Sequence, residues 1–209
     1  MAYTLAQAVT EVRSLINEDT ASYWSDTEIQ SWIQQGVLDW CHKSLLYIKE
    51  DTITLSSDTI QYTTSTNSYI SNAIRTIHAE YNSKSIQRVS YEQLRGHTAR
   101  HLSSSVIPAY YFDQYDGTSM TFYISPTPDA TINNDAITVH FACRTNDITD
   151  IPWEYQPTMF LYAAYKAKNK ERQYQEGHIH YQTYINNIVF QRQDALNRGV
   201  QTIDQFRIK

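Results

Sequence analysis

Glycine is scarce, with 5 in a chain of 209 residues. A Gly-rich phosphate loop or a long flexible linker would need more. Proline is equally rare at 5, and the only cysteines are Cys41 and Cys143. No disulfide framework therefore carries the fold. A chain of this length buries roughly 70% of its unfolded surface and needs no such staple. Positive charge is also short: 17 Lys+Arg against 22 Asp+Glu leave a net charge of −5. That argues against a general nucleic-acid-binding face. No apolar run nears the ~18–20 residues of a membrane span. The start, MAYTLAQAVTEVRSLINED, lacks the apolar core of a secretory leader, and no Asn-x-Ser/Thr sequon occurs. The expectation is a product made in the cytosol, with reduced thiols and no membrane association.

Catalytic signatures are missing as well. There is no G-x-x-x-x-G-K-[ST], no G-x-G-x-x-G and no G-x-S-x-G elbow. His97 and His101 stand four apart, a spacing that could share a metal. But Thr98 occupies the place of the glutamate in H-E-x-x-H, and a solvated loop is the plainer reading. His178 and His180 are two apart and diverge on a helix. Cys41 beside Trp40 reads as a small buried hydrophobe. No catalytic residue, metal ligand or cofactor is expected.

Aromatic residues, in contrast, make up 13% of the chain and include 17 tyrosines. Tyrosine covers apolar area while keeping one wet polar tip, which suits contacts between protein surfaces. Charge is unevenly placed. Residues 1–151 hold 9 Lys+Arg against 17 Asp+Glu, and residues 152–209 hold 8 against 5. The basic run Lys166-Ala-Lys-Asn-Lys-Glu-Arg172 could meet phosphates or be an ordinary solvated helix face.

Two helices open the chain. Leu5, Ala8, Val9, Val12, Leu15 and Ile16 share one helical face, with Thr4 as N-cap and Gln7 three residues on. Ser25 and Glu28 form a second capping box, and Trp24 with Ile29 have the spacing of a hydrophobic staple. Ile29, Trp32, Ile33, Gly36, Val37 and Trp40 continue the stripe, where Gly36 admits a close neighbour. After Asp51 the period drops to two. Ile53 and Leu55 alternate with Thr52 and Thr54. Residues 73–81 and 84–89 flank Asn82-Ser83 as a hairpin. Tyr110–Tyr115 runs into Asp116-Gly117, a type I′ signal, then Met120, Phe122 and Ile124. Ile137, Val139, Phe141 and Cys143 alternate in a further strand. Ser90 to Gln93 spells another capping box. Helix returns past Pro152 and Pro157. Met159 to Tyr165 is apolar nearly all round, as in a helix packed on several sides. Gly177 reads as a break, and Tyr181, Tyr184, Ile185, Ile188 and Ala195 line the next helix, which Gly199 stops.

The fold class expected is α+β: a four-helix bundle of N- and C-terminal helix pairs, with a β-rich inserted lobe and an extended C-terminal tail. The expected divisions are 1–50 for the first pair, 51–151 for the lobe, 152–198 for the second pair and 199–209 for the tail.

Two stretches, Trp24-Ser-Asp-Thr-Glu-Ile-Gln-Ser-Trp-Ile33 and ITDIPWEYQPTMFLYAAYKAKNKER at 148–172, flank a β insertion with a late Asp-Gly hairpin and a YISPTPD exit at 123–129. Together they resemble the head-to-tail adaptor proteins of tailed bacteriophages, also called head completion or tail tubular proteins. The likeness spans 4–198. It implies a non-enzymatic, structural virion protein at the neck: a ring of about twelve copies below the portal, with nozzle or fibre proteins beneath. Double-stranded DNA would pass through the lumen without sequence-specific binding. On that resemblance, Ile203, Phe206 and Ile208 of the tail anchor in the portal, with Arg207 and Lys209 at the rim. Met159, Phe160, Tyr162 and Tyr165 face a neighbouring subunit. Tyr110, Tyr111, Tyr115 and Tyr123 offer a surface to tail components, although strand alternation must commit half of the lobe's aromatics to its own core. The competing expectations are another tail or nozzle component, an enzyme without a recognisable motif, and a DNA-binding module.

Overall fold

A computed structural model describes residues 2–18, 23–64, 66, 68–93 and 107–198. It divides into two compact units. One is built from Met1–Tyr47 and Arg144–Val200, the other from Ile48–Cys143.

The first unit holds helices α1 (Leu5–Ile16), α2 (Asp26–Ser44), α3 (Gln156–Lys170) and α4 (Tyr174–Asn197). Both predicted capping boxes on α1 and α2 are made, Thr4 with Gln7 and Ser25 with Glu28. Arg13 ties the two helices together. Its guanidinium donates to the Trp24 carbonyl at 2.8 Å and to Asp26 at 2.6 Å. α3 is the hub, packing on α1, α2 and α4. Its Met159, Phe160, Ala163, Ala164 and Ala167 are all buried. At Gly36 a Cβ would meet the Tyr162 side chain at 3.1 Å and the Met159 carbonyl at 3.3 Å, so the missing side chain lets α2 approach α3 closely.

The second unit holds two four-stranded sheets. One has the order β1 (Ile48–Thr54), β8 (Ala136–Cys143), β3 (Ala73–Tyr81), β4 (Lys84–Ser85). The other has the order β2 (Gln61–Tyr62), β7 (Met120–Ser125), β6 (Tyr110–Tyr115), β5 (Gln87–Arg88). All pairings are antiparallel except β5 with β6. The inward sides of β7 and β8 are the alternating sets read from sequence: Met120, Phe122 and Ile124, then Ile137, Val139, Phe141 and Cys143, all buried.

A four-helix bundle of terminal pairs is not the architecture, and that expectation is corrected. The fold is a β-rich α+β fold, in which two four-stranded sheets stand beside the helices. α1 and α2 do not form a pair of their own; each packs more on α3 than on the other. The physical reason lies in α3, whose small and apolar residues cover most of its circumference and so draw it to the centre.

Three local expectations also change. Residues 84–89 are not one strand. β4 pairs with β3, the buried Ile86 follows, and β5 then pairs with β6 in the other sheet. Asp116-Gly117 is not a two-residue type I′ turn. Only Gly117 has positive φ (95°), and Asp116 to Ser119 form a four-residue loop in which the Asp116 carboxylate accepts from the Thr118 and Ser119 N–H groups at 2.7 Å each. Gly177 lies inside α4; the break comes earlier, where Arg172 takes a left-handed φ of 63°. Asn82 and Ser83 do make the expected tight turn, both left-handed.

Candidate interaction surfaces

The interior of the helical unit holds a chain of polar side chains bonded to one another. Trp40 Nε1 donates to Gln191 Oε1 at 2.8 Å, and Gln191 Nε2 donates to Thr158 Oγ1 at 2.7 Å. The Tyr184 hydroxyl donates to Asp39 at 2.7 Å, and burial with that carboxylate pushes its pKa far up. Tyr162, Tyr165, Tyr181 and Tyr184 cluster around it with ring centroids 4.8–6.1 Å apart. These groups position the helices.

That interior claims two residues expected at a subunit contact. Met159 is fully buried, and Phe160 meets Tyr3 edge-on at 5.2 Å within the same unit. Both pack within their own unit, which leaves them almost no exposed area. Tyr162 and Tyr165 keep partial exposure.

The basic stretch is also committed internally. Lys168 is only 6% exposed and is held by Gln173 at 2.9 Å and Glu176 at 3.1 Å. Lys170 bonds Glu28 at 2.7 Å and sits over the Trp24 and Trp32 rings. Lys166 lies over the Tyr162 ring. The phosphate-binding reading loses most of its cations to these partners. Cys41 is buried, and burial pushes its thiol up to about 11, so it is inert at neutral pH. His97, His101, Gly199 and the tail set Ile203, Phe206, Arg207, Ile208 and Lys209 lie outside the described residues. Among the described residues no cluster of His, Cys, Asp and Glu could hold a metal, and no helix is long and apolar enough to cross a membrane.

In the β unit, Tyr111 is 3% exposed and stacks on Phe122 at 5.3 Å. It belongs to the core of this unit. Tyr110 and Tyr123 remain partly exposed on the other side of the β6–β7 ladder, and Tyr115 at its end bonds the Gly117 carbonyl. Phe112, opposite Tyr123 at 5.8 Å, joins this stripe, as does the exposed Tyr91 at 5.6 Å from Phe112. The alternation of β6 could have found Phe112, since it shares parity with Tyr110.

Two surfaces were missed in the sequence altogether. The first is the outer face of α4. Ile179, Val189 and Phe190 are 63%, 58% and 71% exposed, opposite the buried Tyr184, Ile188 and Ala195. The signal was available: these are the apolar residues left over once the inner stripe is assigned. The second is an open recess of about 320 Å³ lined by Ala2, Tyr3, Gln7, Trp153, Glu154 and Pro157. Trp153 is 59% exposed at its rim. Glu154 is paired with Arg198 at 3.5 Å.

Compared with known proteins, residues 3–205 match the model of the SU10 adaptor protein family. No curated protein matches the chain. The chain therefore belongs to the SU10 adaptor protein family, a phage adaptor family, and is a structural virion component that joins parts of the particle.

Proposed function

We propose that this member of the SU10 adaptor protein family is a ring-forming link between portal and tail. About twelve copies would close beneath the portal, with tail nozzle or fibre proteins below and double-stranded DNA passing through without sequence-specific contacts. The observation that carries the reading is the family match over 3–205. Exposed and half-exposed aromatic and apolar area on each unit supports it, because a subunit in a closed ring that also meets proteins above and below needs several sticky patches. The net charge of −5 fits passage of DNA better than its retention. In this account the segment after Arg198 supplies the portal contact through Ile203, Phe206 and Ile208, with Arg207 and Lys209 at the rim. The half-exposed Tyr110, Tyr115 and Tyr123, now with Phe112, meet a tail component. The adaptor performs no bond-making step.

The test is portal capture by the full chain and by a variant truncated after Arg198. Truncation should abolish portal binding and leave the circular dichroism spectrum unchanged. Undiminished capture by the truncated chain refutes the assignment of the portal contact.

A further inference from the structure

The outer face of α4 and the recess at the start of α3 belong to one unit but to different flanks of it. α4 covers one side of α3. α1, whose leading residues build the recess together with Trp153 and Pro157, covers another, and α1 and α4 do not pack extensively on each other. We propose that the outer face of α4 in one copy seats in the recess of the next copy, with Phe190 as the inserted anchor. The proposal rests on the ring-forming reading above and supplies the contact that closes the ring.

The chemistry of the two patches matches. Phe190 is the most exposed of the large apolar side chains among the described residues. Ile179 lies about three helical turns before it, at nearly the same azimuth. Between Glu176 and Arg192 the helix carries no Asp, Glu, Lys or Arg. Covering this face therefore desolvates no full charge. Burial and the nearby Lys168 hold the His180 imidazole below its ordinary pKa, so it too stays neutral near pH 7. The recess presents two aromatic rings and a proline, a lining that suits a phenyl group. Its one carboxylate, Glu154, already has Arg198 as a partner within its own unit, so seating leaves no charge unpaired.

A second copy is favoured over a foreign protein because the chain carries both halves of the contact. A foreign protein would need only one of them. Two unlike patches on different flanks are what a repeating head-to-tail contact requires, whereas a two-fold contact through the α4 face alone would bring that face against itself.

The experiment uses two full-length single variants, Asn186→Cys and Ala2→Cys, mixed in equal amounts and oxidised. Asn186 is exposed one turn before Phe190 on the same face, so the anchor itself is kept. Peptide mapping then locates the disulfides; the native Cys41 and Cys143 are buried and do not compete. The expected product is a 2–186 bond in clear excess over 186–186 and 2–2 bonds. Adding Phe190→Ala to the Asn186→Cys chain, or Trp153→Ala to the Ala2→Cys chain, should lower the 2–186 yield severalfold while circular dichroism stays unchanged. A dominant 186–186 bond, no 2–186 bond, or a yield indifferent to Phe190 and Trp153 overturns the inference. Portal capture of the same variants separates the two readings. Normal capture without a 2–186 bond means that the ring closes elsewhere. A 2–186 bond without capture keeps this contact and removes the portal role.

Discussion

Gly36 has no Cβ because the space is already taken: Tyr162 Cβ and Cδ1 would stand 3.1 Å from it. A β-branched side chain there must push α2 off α3. We expect Gly36→Val to destabilise the helical unit by about 1–3 kcal/mol, read as a lower midpoint in urea. Asp113 is a second single-residue lever, in the β unit. It is buried on β6, bonds Arg88 Nε at 2.6 Å and accepts from the Thr76 N–H at 3.0 Å, so that one carboxylate joins β3, β5 and β6. Asp113→Ala removes both bonds. Arg88 is 38% exposed and can turn to water, so the loss should be about 2–3 kcal/mol, below the full cost of orphaning a buried charge. A change within a few tenths of a kcal/mol would show that the carboxylate does not hold the two sheets together. Local chemistry of this kind is legible in a sequence. The Ser25–Glu28 box and the Asn82-Ser83 turn each depend on neighbours a few residues away, whereas Gly36 is legible only as a gap in an apolar stripe and not as a seat for Tyr162.

At the scale of elements the sequence says less, because elements are placed by partners far along the chain. The apolar circumference of α3 is legible as burial on several sides, but the sequence does not say what covers Met159 and Phe160. The cover is their own chain: α1, α2 and α4 surround α3. The switch of residues 84–88 from one sheet to the other could not be read, since it depends on Ala79 and Ala109 as backbone partners for Ile86 and Gln87. The Asp-Gly signal overrode the two residues after it, although Asp116 itself spans the longer loop by capping two amides. The turn between α3 and α4 also gathers charge, and it makes pH an observable. Burial lowers the His180 pKa in the fold, and Lys168 adds to the effect. The unfolded chain takes up this proton near pH 6.5, the folded one only at lower pH. Stability from this group is therefore whole above about pH 6.5 and is lost as pH falls towards the folded value. Burial lowers His42 in the same direction. The melting temperature should fall on acidification from about pH 7 to pH 5, and less steeply in His180→Gln. An identical slope in that variant would remove His180 from the account.

For the whole molecule, function was legible through the order of its elements, and only coarsely through its surfaces. The arrangement of a capped acidic helix pair, a β insertion and a proline-led apolar helix sufficed to point to an adaptor, and the family match agrees. The contact residues were harder. Interior and interface draw on the same aromatic alphabet, so Tyr111 and Phe160 look like Tyr123 and Phe190 until pairing and burial are known. What sets an interface apart is apolar area left over after the core is filled, and α4 carries the clearest case. Electron microscopy of isolated portal mixed with the full-length chain bears hardest on the adaptor reading. It should show one closed layer of this chain coaxial with the portal, with an open central lumen. Portals left bare beside free chain, or a layer that blocks the lumen, would contradict it.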